Sequence, residues 1–435
     1  MRLSNMVFSD SPLFVLYCVL ILWLPIPFGS DALWAQNLAE IWVLSLFTAW
    51  LLLYASDRTS VSPSLYGSRY LVALLALWVF YLVCQQLYTV DVHITTEKLL
   101  LSVSLVLFFV LTLVLCNSHS RIRTLMWVIV FAGLFQAIYG SLMTLSGMEK
   151  HFFMDKWTDV GRASGTFVNS NHFAAYLVMS LSVGIGLMIS SLSEEVTESW
   201  KHRLLGIVRV LLGAKMRLRI FLIIMVIALV LSRSRMGNTV FFMSLLVSGG
   251  VGLVLSRYAT RATIIFLTSI IIIDIFIVGA WFGIDKIKER METTSAETEL
   301  RDEVNRDTYR QWQANKIWGT GLGTYPMIFP HYRGHDITGF HKHTHNDYLQ
   351  FAAETGLVGI VLLAFISLYS LCMALIAQHK RRHPLMRGVS FAAMMGIIAM
   401  LIHATVEFNF QIPANAAMFM VLLAFASISR HFKKE

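Results

Sequence analysis

Charge is scarce in this chain. Only 14% of its 435 residues are Asp, Glu, Lys or Arg, while 56% are hydrophobic. A soluble domain carries about 25% charged residues, so a multi-domain soluble enzyme is excluded. Cysteine is scarce as well. Cys18, Cys84, Cys116 and Cys372 lie within or at the edge of apolar runs and share no close spacing. They read as buried free thiols, and no zinc pattern is present. No internal repeat or low-complexity tract is visible. The net charge of +9 does not imply nucleic-acid binding, because Lys and Arg excess in membrane proteins sits in cytoplasmic loops.

What is abundant is apolar sequence, with a mean hydropathy of +0.65. Candidate spans fall near residues 12–28, 38–54, 69–87, 99–116, 125–143 and 173–192. Others follow near 220–231, 239–255, 263–282, 348–377, 389–406 and 414–429. These spans, each near the ~20 residues that cross a bilayer, predict an all-α membrane protein of about twelve transmembrane helices. Residues 1–435 then form a single polytopic domain. The first run follows Arg2 as a signal peptide would. It is long and aromatic, and a second span follows at once, so it reads as a retained helix.

The loops set the expected orientation. With Arg2 cytoplasmic, alternate loops carry Arg58, Arg121 and Arg123, then the basic segment 193–219, then Arg257 and Arg261. Lys380, Arg381, Arg382 and Arg387 continue the series, and Arg430, Lys433 and Lys434 end it. All fall on one side, as the positive-inside rule requires, with both termini cytoplasmic. The 193–219 segment reads as an amphipathic helix on anionic lipid. Two loops face outward: 146–171 and a large periplasmic loop, 283–347, with several short helices. Loops that long are uncommon unless functional.

Polar residues concentrate on the outer side. The stretch "HKHTHNDYLQFAAETGLVG" places His341, His343 and His345 just before a span. His345 could accept a proton near neutral pH or belong to an exposed cap in which Asn346 and Asp347 accept helix amides. The i, i+2 spacing of the three histidines leaves a metal site as an alternative, with His331 and His335 as further donors. In "LVLSRSRMGNTV", Arg233 and Arg235 sit at the outer end of a span, where arginines snorkel to headgroups or meet an anion. Arg310 shares a helix face with Gln313 and Ala314. Gly319, Gly321 and Gly323 lack the strand that a dinucleotide fingerprint needs, and read instead as a tight turn returning Arg310 toward the membrane. Arg162 opens "RASGTFVNSNHFAAYL", whose Asn169, Asn171 and His172 could cap a helix. Together Arg162, Arg235, Arg310 and His345 make a plausible site for a lipid-linked phosphate, since arginine donates to phosphate through a planar fork.

Three segments carry a resemblance. His345, Asn346, Gly356 and Gly359 fit a His-Asn, nine-residue, Gly, two-residue, Gly pattern. With "SRMG" at Ser234–Gly237, "YRQW" and "GTGLGTY" between Tyr309 and Tyr325, and the segment from Arg162, they resemble the O-antigen ligase/polymerase superfamily. The likeness runs from about Arg162 to Gly359. It implies a glycosyltransferase of the membrane C type in a bacterial inner membrane. The donor would be a glycan on undecaprenyl pyrophosphate, and the site would be periplasmic, without metal or cofactor. His345 then resembles the catalytic base and Arg235 and Arg310 the pyrophosphate clamps, with Arg233 the alternative to Arg235. Asn346, Gly356 and Gly359 support the site.

The resemblance implies transfer to an acceptor hydroxyl with inversion, most like O-antigen ligation to lipid A-core. A polymerase extending a glycan and a protein O-oligosaccharyltransferase use similar parts. From a different class, a lipid-linked glycan transporter would place charge near the membrane midplane within paired repeats.

Overall fold

The computed structural model describes residues 10–152, 154–192, 214–255, 295–337 and 339–432, with isolated positions at 264–265, 268–269 and 272. The first helices are α1 (Ser11–Trp23), α2 (Leu33–Ala55), α3 (Arg69–Gln85), α4 (Val92–Leu115) and α5 (His119–Leu145). Next come α6 (Ser170–Leu192), α7 (Ala214–Leu231), α8 (Arg235–Leu255) and α9 (Ser295–Ala314). The chain closes with α10 (Asp347–Lys380), α11 (Pro384–His403) and α12 (Pro413–His431). A two-residue hairpin pairs Lys150 with Asp155. The protein is an all-α membrane protein, and eight of the described helices are long and apolar enough to cross a bilayer. Helices occupy eleven of the twelve expected spans. The expected span 263–282 lies mostly outside the described residues.

Three helices form the core of the bundle. The apolar stretch of α6 is fully buried, and those of α12 and α11 are nearly so. A helix that is apolar all round belongs inside a bundle. Serines on α6 do not disturb this, because Ser180 and Ser182 return their hydroxyls to the carbonyls of Tyr176 and Val178 at 2.9 and 2.8 Å. Gly186 on α6 and Gly388 on α11 meet backbone to backbone, and a Cβ on either would collide with the other's carbonyl. Small residues at such crossings let apolar helices approach closely.

Four expectations change in detail. The basic loop was expected to reach residue 219, but α7 begins at Ala214 and takes in Lys215, Arg217 and Arg219; their long stems can lie along a helix while the charges reach water. Residues 193–213 lie outside the described set. The large loop contains one 20-residue helix, α9, in addition to short turns at Tyr325–Ile328 and Phe329–His331. Of the cysteines, Cys18 and Cys116 are buried, whereas Cys372 is exposed on α10.

The fourth concerns α10, which is broken at Gly356 (φ 61°, ψ −168°), a conformation essentially confined to glycine. The break frees backbone groups that a helix would pair. The chain after α9 supplies the partners: Leu357 and Val358 N–H donate to the carbonyls of Lys316 and Ile317, at 2.9 and 3.3 Å. Thr320 and Gly321 N–H donate to the carbonyls of Ala353 and Glu354, at 3.2 and 2.9 Å. A Cβ at Gly319 would strike the Glu354 carbonyl, and one at Gly356 the Ile317 carbonyl. Irregular backbone at membrane depth is tolerated where protein satisfies it. The glycine-rich turn is therefore a docking surface for the helix break, and Gln85 and Tyr81 of α3 donate to the same carbonyls, Glu354 and Thr355, at 2.9 and 2.6 Å.

Candidate active site

The start of α10 is built as its sequence dictates. Asn346 is the N-cap, and its side chain accepts from Leu349 N–H at 3.1 Å. Asp347, the first helical residue, donates its N–H to Ala404 at 2.9 Å and accepts from Phe410 N–H at 3.0 Å. These bonds fix the loop joining α11 to α12 against the mouth of α10. His345, just before the cap, has φ +55°. A non-glycine residue there costs about 1–2 kcal/mol, and the surrounding bonds hold it.

That geometry brings the His345 ring to Glu407. Nδ1 lies 3.1 Å from Glu407 Oε2, and the carboxylate is 1% exposed. The other oxygen, Oε1, accepts from Asn171 Nδ2 at 2.6 Å and Arg301 at 3.1 Å. Four distant segments thus meet at one carboxylate. Burial alone pushes this carboxyl up, but the His345 hydrogen bond and the neighbouring positive charges outweigh it and bring it down to about 2. Glu407 is therefore an anion across the physiological range. Its contact assigns the Nδ1 proton of a neutral His345, leaving Nε2 as the acceptor nitrogen.

Phe408 sorts the histidines. Its ring is stacked by His343 at 4.3 Å and met edge-on by His172 and His345 at 4.4 and 4.8 Å. His343 also contacts Gln350 through Nδ1 at 3.2 Å. Burial, then the charges of Lys342 and Lys98, push His343 down to about 2, so it stays neutral and serves packing. His341 turns toward Phe329. The three alternating histidines diverge, and no group of three or more metal-type donors converges among the described residues.

A cavity of about 320 Å³ opens beside His345, with His172, Asn169, Asp159, Phe28 and Lys342 among its walls. Asn169 caps α6, accepting from Asn171 N–H at 2.7 Å, while Asn171 and His172 turn to Glu407 and Asn409. Asp159 binds Ser170 N–H at 2.6 Å and pairs with Arg162 at 3.5 Å. Ala163 N–H donates to Leu231 at 2.9 Å, which brings the Arg162 loop to the turn bearing Arg233 and Arg235. Arg233 adopts φ +52° there. Arg162, Arg233 and Arg235 are thus gathered at one edge of the site. Arg310 is not joined to them: it pairs with Asp307 at 3.0 Å, nine residues and about 13 Å along α9 from Arg301. Gly359 packs against Thr355 and Tyr81 beside the helix break.

Sequence reasoning passed over Glu407, Arg301 and Phe408. A signal for Glu407 exists, since it is the only acidic residue between Glu354 and Glu435. An isolated acid among apolar spans is costly unless paired and reads as functional.

A multi-pass helical membrane protein with a histidine–carboxylate pair and gathered arginines is the class that fold and site define. Residues 220–364 match the family model described as O-antigen ligase. The match supports the O-antigen ligase superfamily and a function of the ligase/polymerase type. It spans Arg233, Arg235, Arg310, His345, Gly356 and Gly359; Arg162 and Glu407 lie outside it. No curated protein matches the chain.

Proposed function

We propose that this protein transfers a glycan from undecaprenyl pyrophosphate to an acceptor hydroxyl, most plausibly on lipid A-core. The acceptor oxygen attacks the anomeric carbon as the bond to pyrophosphate breaks. One displacement inverts the anomeric centre. The hydroxyl proton passes to Nε2 of His345, and Glu407 holds the ring and stabilises the imidazolium. A positioned base contributes roughly 10²–10⁴-fold. The leaving pyrophosphate carries the developing charge, which Arg235, Arg233, Arg162 and Arg310 would neutralise as fixed donors. No metal is required, because pyrophosphate already leaves readily. The basic loops on one side favour cytoplasmic termini and a periplasmic site in the inner membrane.

The observation that carries this reading is the 3.1 Å contact between His345 Nδ1 and buried Glu407, an oriented base at a cavity wall. A transport reading has one observation in its favour, the broken helix α10, since transporters bind substrate at such breaks. Here, however, the freed groups are taken up by residues 316–321 and face no open site.

The test is a glycan gel of the host lacking this gene, complemented with wild type or His345→Ala. For a ligase, long chains are lost from lipid A-core and persist on the carrier; wild type restores them and His345→Ala does not. A single repeat on lipid A-core would instead indicate a polymerase. An unchanged lipopolysaccharide would overturn both and point to another glycan or a protein acceptor.

A further inference from the structure

A second cavity, of about 200 Å³, lies across the α10 mouth from the first. One layer of residues divides the two. Phe408 and Ile412 line the first, whereas Phe410 and Gln411 line the second. At α10, His345 faces the first and Asp347 the second.

The second cavity has a direction. Lys98, Asp347 and Gln411 lie at the end beside the His345 loop. From there the walls follow α4 through Leu101 and Leu105, α10 through Leu363 and Ile366, and α12 through Phe419 and Leu423. Lys98 to Val106 covers about 12 Å of helix. Below the polar end the walls are apolar except for Ser102 and Ser367.

The polar end has unused capacity. Among the described residues the Lys98 ammonium forms no hydrogen bond or ion pair. The acidic charge acting on it most is Glu354, already engaged by Gln350 and Tyr325 N–H at 3.2 and 3.3 Å. Asp347 Oδ1 and Gln411 Nε2 are buried without a hydrogen bond of acceptable geometry. A narrow space that is apolar along its length and cationic at one end complements an anionic head on a single hydrocarbon chain. A two-chain phospholipid does not fit that volume. The chain nearest the chemistry is the carrier's own.

We infer that this groove seats the isoprenoid chain of the carrier lipid, with its phosphate end at Lys98. The inference rests on the proposed glycan transfer for the identity of the lipid. The test uses the full chain in nanodiscs with a diazirine-bearing polyprenyl phosphate that carries no glycan. Crosslinks are expected on α4, α10 and α12 around Leu105, Leu363 and Phe419, competed by unlabelled polyprenyl phosphate and not by phosphatidylglycerol. Ala364→Trp should cut labelling about tenfold, because Ala364 lines the groove from an exposed position where added bulk is tolerated. Lys98→Met should reduce it less and abolish the preference for a phosphorylated head. Labels elsewhere, equal competition by phosphatidylglycerol, or unchanged labelling in a folded Ala364→Trp protein would each overturn the inference. No glycan or acceptor is present, so a failure of transfer sinks the proposed function alone.

Discussion

Two buried carboxylates organise the polar half of this protein, and they do it differently. Glu407 gathers His345, Asn171 and Arg301 from segments far apart in the chain. Asp307 gathers near neighbours: Arg306 at 2.9 Å and Arg310 at 3.0 Å on its own helix, with Gly334 N–H at 2.8 Å. Burial raises each carboxyl, and hydrogen bonds and positive charges lower each more. What differs is the partner that can change state. Around Asp307 every partner is permanently charged or a backbone amide, so the cluster shapes a loop. Around Glu407 one partner is an imidazole, so the same electrostatics becomes a means of handling a proton.

The sharpest way to break this comparison is to neutralise each carboxylate in turn. Glu407→Gln keeps the shape but removes the charge that orients His345. Transfer should fall on the order of 10²-fold, with Glu407→Asp recovering part of the loss. Wild-type turnover in a folded Glu407→Gln protein would dissolve the histidine–carboxylate pair as a catalytic unit. Asp307→Asn should act mainly on stability, by about 1–2 kcal/mol, because its arginines remain solvated. Thermal melting measures that loss; transfer should fall by less than about tenfold. A deeper loss would place Arg310, through Asp307, in direct contact with substrate.

The smallest effect is a pH dependence. Glu407 is lowered from 4.5 to about 2, so the unfolded chain takes up the proton first on acidification. The stability Glu407 contributes is present above about pH 4.5 and is lost as pH falls toward 2. Melting temperature should therefore drop more steeply across that window in wild type than in Glu407→Gln. Parallel curves would mean that the carboxylate is not held as described.

How much of this was legible depended on range in the chain. The spans were readable because hydropathy is local, and Asn346 because a cap bonds three residues ahead. The alternation of His341, His343 and His345 was visible, but their fates were not. Phe408, about sixty residues away, decides which ring stacks and which faces Glu407. The glycines at 319–323 read correctly as a turn, while the helix break they serve did not, since Gly356 inside an apolar run looks like any other transmembrane glycine. Arg162 and Arg235 were grouped by predicted side, and the bond from Ala163 to Leu231 supplies the contact that makes them neighbours.

The break at Gly356 bears on how such proteins can be recombined. The helix and the turn that follows α9 share four peptide hydrogen bonds across the break, none of which either partner can make alone. A chimera joined at the mouth of α10 would unite halves whose backbones no longer match, even if every side chain of the site were kept. The natural unit of exchange is residues 316–358 taken whole, and a graft that respects it carries the seating of the helix along with the loop.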